Sequence, residues 1–174
     1  MGKKISYYNN FSKSKFSNLS LQERFELIYN ENFWESDESR SGIGSEIENT
    51  KEALKALEYI IKEYRIKSII DVPCGDFNWM SKMDLNNIDY KGYDIVRSVI
   101  KDNNKKFKKS NISFFHSDIT DSKLDKADLI IVRDCLVHFS IEDIKKSIFR
   151  IKQSRSKYLV STSFVNVEKN IDIY

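Results

Sequence analysis

The sequence predicts an α/β fold in which a doubly wound, mostly parallel sheet of about five strands carries helices on both faces. From residue 68 onward, short apolar runs alternate with amphipathic stretches, and this alternation is typical of β-α-β units. The chain has 174 residues, of which 40% are hydrophobic and 32% are charged. That composition supplies one sizeable core and a well solvated surface, and it argues against a disordered chain.

The N-terminal region, residues 1–45, is predicted to precede the sheet. Residues 1–19 are polar and rich in Asn, Ser and Lys, which favours a loose arm. Ser20 and Glu23 have the spacing of a capping box, so a short helix is expected to begin there. Residues 30–45 mix glycines with acids and serines, and they are predicted to form a loop.

The remaining segment, residues 46–174, is predicted to form the core of the domain. A second capping box, Ser45 with Glu48, is expected to open a long helix that ends near Tyr64. Strands and helices are then expected to alternate. They are strands 68–72, 90–95, 112–116, 128–133 and 157–163, and helices 76–83, 96–107 and one capped by Ser140.

Composition and charge exclude several classes of protein. The 29 basic and 26 acidic residues give a net charge of +3, so the chain has no strong electrostatic footprint for nucleic acid. No uncharged apolar run approaches the roughly 20 residues of a membrane helix, and the N-terminus lacks the apolar stretch of a secretory signal. We therefore expect a cytoplasmic protein in which Cys74 and Cys135 are reduced thiols. These cysteines lack zinc-ligand spacing, so no metal site is predicted.

Polar residues follow the predicted strands, at the sheet edge where parallel α/β folds bind ligands. The first strand leads into the turn Cys74-Gly75, and a glycine there lets a ligand approach backbone N–H groups. Asp94 follows about 20 residues later, a spacing that suits a carboxylate accepting both hydroxyls of a ribose. Asp118 follows the third strand and could accept from an adenine amino group. An ordinary tight turn and helix-capping aspartates are the alternatives.

Four stretches resemble the successive motifs of class I S-adenosylmethionine-dependent methyltransferases. They are IIDVPCGDFNWM, YKGYDI, FFHSDITD and ADLIIVRDCLVHFS, and the resemblance covers residues 45–165. It implies a Rossmann-like fold and S-adenosyl-L-methionine as cofactor, with S-adenosyl-L-homocysteine as product. Pro73 and Phe77 stand where the common glycine-rich pattern has its first and third glycines. The G-x-G-x-x-G pattern of nicotinamide enzymes is absent, which disfavours a dehydrogenase.

The resemblance also implies which residues hold the cofactor. In chain order they are Trp34, Arg40, Asp71, Cys74, Gly75, Asp94, Ile95, Asp118, Ile119 and Arg133. Asp94 would hold the ribose, and Asp118 would face the adenine. The loop before the long helix would fold over the site as a lid, in which Arg40 would pair with the cofactor carboxylate and Trp34 would wall the pocket. A surface charge and a packing role are the respective alternatives.

The resemblance also implies that the acceptor meets the methyl group at the end of the fourth strand, beside Arg133 and Asp134. Asp134 or His138 is the candidate catalytic base or orienting residue, and a packing role for His138 is equally open. The stretch WESDESRSGIGSEIENT, together with these motifs, resembles a narrower bacterial group that includes capsular O-methyl phosphoramidate methyltransferases. This resemblance implies methyl transfer to oxygen of a small molecule, with a phosphoramidate or sugar-linked precursor of capsular polysaccharide among the acceptors. Such an acceptor would be phosphorylated or nucleotide-linked.

Two alternatives stay open from the sequence: a methyltransferase that acts on a macromolecule, and a cofactor-binding module without catalysis. The seven-stranded sheet of the superfamily ends in an antiparallel hairpin, but only residues 164–174 follow the fifth predicted strand. We therefore expect this hairpin to be missing and the fifth strand to form an exposed edge. Such an edge offers a surface for a homodimer.

Overall fold

The computed structural model describes residue 16 and residues 18–163. Most of the predicted arm lies outside these residues, as does the segment 164–174 on which the predicted loss of the hairpin depends. The described helices and strands are α1 (Leu21–Asn30), α2 (Ile47–Glu63), β1 (Ser68–Asp71), β2 (Asp89–Asp94), α3 (Arg97–Phe107), β3 (Ile112–His116), β4 (Leu129–Val132), α4 (Ile141–Gln153) and β5 (Tyr158–Ser161). No helix among them has both the length and the apolar character needed to cross a membrane.

The five strands form one parallel sheet in the order β3-β2-β1-β4-β5. This arrangement confirms the predicted fold class. Because β1 pairs with both β2 and β4, the strand order reverses there, and such a switch point opens a crevice at the carboxyl ends of the strands. β4 is buried along its whole length, as expected of a strand with both faces covered.

Alternate residues of the central strands pack into two separate hydrophobic cores, because successive side chains of a strand point to opposite faces. Ile69 of β1 and Ile131 of β4 belong to the core that α2 and α3 cover. Ile70 and Ile130 belong to the core that α1 and α4 cover. Phe25 of α1 packs against this second core, which places the N-terminal helix close to the carboxyl ends of the strands.

Two of the three predicted N-caps are present in the structure. The capping box of Ser20 and Glu23 is present, and so is the predicted cap of α4. The second capping box is wrong, because Ser45 lies in a short 3-10 turn before α2. The N–H of Ile47 donates instead to the Glu38 carboxylate at 2.8 Å, so an acid from the preceding loop stabilises the start of α2.

The predicted helix over residues 76–83 is also wrong, since only the 3-10 turn Met80–Lys82 forms there. Phe77 has a φ of 60°, which interrupts a right-handed helix. Its ring lies 5.1 Å from the ring of Tyr90 and 5.1 Å from that of Phe114. Burial of this ring in the core is therefore favoured over the helical conformation of the segment.

Among the described residues, β5 forms one edge of the sheet and exposes apolar side chains. Leu159 is 50% exposed, and the ring of Tyr158 packs only on that of Tyr64, at 4.8 Å between centroids, among the described aromatic residues. The predicted homodimer through this edge stays a prediction.

Asp128 joins the starts of three neighbouring strands. Its carboxylate accepts hydrogen bonds from the backbone N–H groups of Lys67 at 2.9 Å and Ser68 at 3.2 Å, directly before and at the start of β1. The ammonium of Lys157, directly before β5, donates to the other carboxylate oxygen at 2.8 Å. The Lys157 hydrogen bond and the backbone donors lower the pKa of Asp128 to about 2.

We expect Asp128→Ala to lower the free energy of unfolding by about 2 kcal/mol at pH 7, because hydrogen bonds to a charged acceptor are lost from β1 and β5. The ionised form stabilises the folded state, so this difference is present above pH 4 and declines as the pH falls through about 2. Urea-induced unfolding at pH 7 and at pH 2.5 measures both effects. Asp121→Ala, which removes an exposed ion pair with Arg150, is the control and should have little effect. Equal losses for the two variants at pH 7 would contradict this role of Asp128.

Candidate active site

A cavity lies at the carboxyl ends of β1, β2, β3 and β4. The turns that follow these strands line it, and Phe25, Tyr29 and Trp34 of the N-terminal region complete its wall. Parallel α/β folds bind their ligands at this edge of the sheet, next to the switch point of the strand order. The position of the cavity therefore makes it the candidate ligand site.

Asp94 is buried at the end of β2 and holds the turn that follows β1. One carboxylate oxygen accepts from the N–H of Gly75 at 3.0 Å, and the other accepts from the N–H of Val96 at 2.9 Å. Burial raises the pKa of Asp94 to about 6, although these backbone donors favour the ionised form. The carboxylate thus fixes the two turns beside each other and remains mostly ionised at neutral pH.

Gly75 is required by a close approach of the N-terminal region. We call residues 36–45 the strap. Gly75 has a φ of 53°, and a Cβ at this position would overlap the Ser41 hydroxyl of the strap. A glycine here therefore allows both the left-handed turn and the seating of the strap upon it.

The Asp76 carboxylate fastens the strap to this turn. It accepts from the Ser39 hydroxyl at 2.9 Å, from the Arg40 N–H at 2.9 Å and from the Ser41 hydroxyl at 3.3 Å. The N–H of Asp76 donates to the same Ser41 hydroxyl at 2.9 Å. Ser41 itself lines the cavity, so the strap forms part of its wall.

Arg133 is the only lysine or arginine among the described residues that line the cavity. Its guanidinium donates to the Gly44 carbonyl of the strap at 2.7 Å and pairs with the Asp134 carboxylate at 3.1 Å. It also lies 5.2 Å from the centre of the Trp79 ring, in cation–π contact. These contacts fix the orientation of the one cationic group available to a ligand in this cavity.

His138 lies among aromatic rings at the end of the cavity near β4. Its ring centre is 5.6 Å from that of Trp34 and 6.3 Å from that of Phe25. Burial lowers the pKa of His138 to about 4, so the imidazole is neutral at neutral pH. Asp134 lines the same end of the cavity.

The turn after β3 supplies the opposite end of the cavity. Asp118 accepts from the N–H and the hydroxyl of Thr120, each at 2.7 Å and each at the same oxygen, so the second oxygen remains for a ligand. The buried side chain of Ile119 and the hydroxyl-bearing Ser117 line the cavity beside it. Within the described part of the chain, no group of His, Cys, Asp and Glu side chains is arranged to hold a metal ion.

Two of the predicted site residues lie outside the cavity, and the others line it. The guanidinium of Arg40 donates to the carbonyls of Tyr29 and Asn30 at 3.3 and 3.1 Å, because the C-terminus of α1 attracts a cation. Asp71 is buried in β1, where its carboxyl accepts from the Tyr90 hydroxyl at 2.7 Å. Burial raises the pKa of Asp71 to about 7, so this side chain belongs to the interior of the sheet.

Sequence reasoning missed several residues of the site, including four with polar side chains. Asp76 and Ser41 join the strap to the glycine turn, and Tyr29 and Ser117 line the cavity. The acid directly after Gly75 and the serine-rich segment of the strap are visible in the sequence, but their pairing over 35 residues is not. No sequence signal distinguishes Ser117 from an ordinary polar residue at a strand end.

We expect Asp76→Ala to release the strap, because three of its hydrogen bonds end on this carboxylate. Loss of even one hydrogen bond to a charged acceptor, about 1.5 kcal/mol, corresponds to an increase of roughly tenfold in the opening equilibrium. Hydrogen exchange of the backbone amides in residues 36–45, followed by mass spectrometry, measures this opening. Asp37→Ala, an exposed acid in the same segment, is the matched control. Equal exchange in the two variants would mean that the strap is held without Asp76.

No protein-family model and no curated protein matches the sequence. Solved structures do match. The methyltransferase domain of a bacterial CtHen1 protein is 19% identical, with a TM-score of 0.57 over 64% of each chain. A SAM-dependent methyltransferase from Leishmania major is 11% identical, with a TM-score of 0.59 over 79% of this chain and 64% of the other.

A third match has a bound product in its structure. The N-methyltransferase NodS from Bradyrhizobium japonicum, in complex with S-adenosyl-L-homocysteine, is 17% identical, with a TM-score of 0.55 over 71% of this chain and 65% of NodS. The chain spans just under two thirds of the length of each of these structures. At such identities the likeness concerns the fold, and the chain has the α/β, Rossmann-like fold of S-adenosylmethionine-dependent methyltransferases.

Proposed function

We propose that this chain binds S-adenosyl-L-methionine and transfers its methyl group to an oxygen atom of a small molecule. One observation carries the proposal: a single cavity brings together the glycine turn after β1, the acid after β2 and the acid after β3. These are the positions at which a parallel α/β sheet of this order binds a nucleotide-like ligand. The fold of the solved methyltransferases supports the same proposal.

The lining residues fit the chemical parts of this cofactor. The buried Asp94 carboxylate suits the two ribose hydroxyls, which need acceptors. Ile95 and Ile119 offer apolar contact to a flat adenine, and the second oxygen of Asp118 can accept from its amino group. The bound cofactor would supply a methyl group already activated by its sulfonium.

Arg133 is the residue that we propose for the cofactor carboxylate, in place of Arg40. A carboxylate in a partly enclosed cavity requires a cation or several N–H donors. Arg133 lines the cavity and is held by the strap, whereas Arg40 lies at the end of α1. The contacts of Arg133 with Gly44 and Asp134 leave further guanidinium N–H groups for a ligand.

The chain would promote transfer mainly by positioning. Trp34, Trp79 and the strap residue Ser41 line the cavity, and with the ligands bound they would exclude water from the reacting atoms. Such positioning can supply roughly 7–11 kcal/mol of an activation barrier. Asp134 is our candidate acceptor of the hydroxyl proton. His138, neutral and held among rings, would orient the acceptor, because its low pKa makes it a weak base.

The acceptor that we propose is a small phosphorylated or nucleotide-linked precursor of capsular polysaccharide in the cytoplasm. The strap and α1 cover part of the cavity, which favours a small acceptor over a folded macromolecule. The buried free thiols of Cys74 and Cys135 are consistent with a reducing compartment.

Calorimetric titration with S-adenosyl-L-homocysteine, with NAD as a control ligand, tests cofactor binding. We expect selective micromolar affinity, and Asp94→Ala should weaken it at least about tenfold, since a charged acceptor of hydrogen bonds is lost. Asp89→Ala, at the exposed opposite end of β2, is the matched control. Binding of NAD instead, or no binding by a chain that unfolds cooperatively, would overturn the proposed function. Methyl transfer from labelled cofactor to phosphorylated and sugar-linked small molecules then tests the acceptor class.

Arg133→Gln and Arg40→Gln separate the two arginines as partners of the cofactor carboxylate. We expect Arg133→Gln to weaken S-adenosyl-L-homocysteine about tenfold or more, because a charge-assisted hydrogen bond is lost. The variant should bind 5′-methylthioadenosine, which lacks the amino-acid part, with unchanged affinity, and this also controls for folding. Arg40→Gln should bind both ligands as the parent chain does. If Arg40→Gln instead weakened the binding of S-adenosyl-L-homocysteine but not that of 5′-methylthioadenosine, Arg40 would be the partner of the cofactor carboxylate.

A further inference from the structure

Ser117 carries a buried hydroxyl that has no hydrogen-bond partner among the described residues. The residue is 7% exposed and lines the cavity directly after β3. Buried hydroxyls in native proteins are nearly always paired, because an unpaired one has lost its water without a replacement. A ligand that fills the cavity can supply the partner that the described residues do not.

The position of Ser117 identifies the part of the ligand that it would meet. Its N–H donates to the backbone carbonyl of Asp94 at 2.9 Å, so the residue is fixed against the end of β2. Asp118 and Ile119 follow it in the chain and line the same end of the cavity. Ser117 thus lies between the two acids that we assign to the nucleoside half of the cofactor, away from Arg133 and the strap.

The chemistry of that end defines what the hydroxyl adds. An ionised carboxylate only accepts hydrogen bonds, so Asp94 and Asp118 serve the ribose hydroxyls and the adenine amino group. Adenine also has ring nitrogens, which require a donor. The lining side chains of Ile95, Val96 and Ile119 are apolar and offer none. Ser117 is the side chain at this end that can donate.

We propose that the Ser117 hydroxyl donates a hydrogen bond to a ring nitrogen of the cofactor's adenine and so selects for this base. The proposal rests on the proposed function, because it assumes that the ligand is S-adenosyl-L-methionine. It assigns a specificity role to a hydroxyl that has no other hydrogen-bond partner among the described residues.

The first test combines stability with binding in Ser117→Ala. Because the hydroxyl is unpaired without ligand, its removal should leave the thermal midpoint of the ligand-free chain unchanged or higher. The affinity for S-adenosyl-L-homocysteine, measured by calorimetry, should fall about tenfold, as expected when a ligand loses its hydrogen-bond donor. Ser113→Ala, four residues earlier on β3 and outside the cavity, is the matched control. A lower midpoint in Ser117→Ala, or an unchanged affinity, would overturn the proposal.

The second test uses the 1-deaza, 3-deaza and 7-deaza analogues of S-adenosyl-L-homocysteine, each of which replaces one ring nitrogen by carbon. The parent chain should bind one of them about tenfold more weakly than the natural compound, and Ser117→Ala should bind that analogue and the natural compound equally. Equal discrimination by both chains would overturn the assignment to a ring nitrogen. A parent chain that binds no S-adenosyl-L-homocysteine would overturn the proposed function itself. If the parent chain binds this compound and Ser117→Ala binds it with the same affinity, only the present inference is overturned.

Discussion

The candidate site depends on how one buried carboxylate, that of Asp94, is satisfied. Burial alone would favour its neutral form, and the N–H groups of Gly75 and Val96 oppose this by donating to its two oxygens. These bonds can form only when the turn after β1 and the end of β2 lie side by side. The same two hydrogen bonds therefore keep the Asp94 carboxylate ionised and hold the turns that shape the cavity.

The Asp76 carboxylate, directly after Gly75, likewise accepts hydrogen bonds that join two segments of the chain. Asp94 accepts from the glycine N–H, whereas Asp76 accepts from the strap, and the two acids flank a residue without a side chain. The N-terminal region is thereby joined to the sheet by polar contacts at the turn and by the packing of Phe25 on the core. Arg133 adds a third attachment, because its guanidinium donates to the Gly44 carbonyl 89 residues earlier in the chain. The strap thereby becomes part of the cavity wall.

The sequence allowed prediction of features that arise from local pattern or from short spacing. The alternation of apolar runs and helices predicted the strands, and the capping box at Ser20 predicted the start of α1, because neighbouring residues determine both. The box at Ser45 and the helix over residues 76–83 were wrong for one shared reason: distant partners competed. Glu38 bonds the first turn of α2, and the core takes the ring of Phe77.

The sequence predicted Asp94 and Asp118, which line the cavity, but it also predicted Arg40 and Asp71, which lie outside it. The spacing between Gly75 and Asp94 reflects a β-strand and a turn of fixed length, whereas the partner of Arg40 depends on where α1 ends in space. The overlap of the Ser41 hydroxyl with the absent Cβ of Gly75 has an evolutionary consequence. The Ser41 side chain occupies the space that a Cβ at position 75 would need. A larger residue can therefore replace Gly75 only if position 41 loses its side chain or if the strap is held elsewhere. Positions 41 and 75 should therefore covary in relatives that keep a closed strap, and a relative with a bulky residue in the turn should have a different N-terminal arrangement.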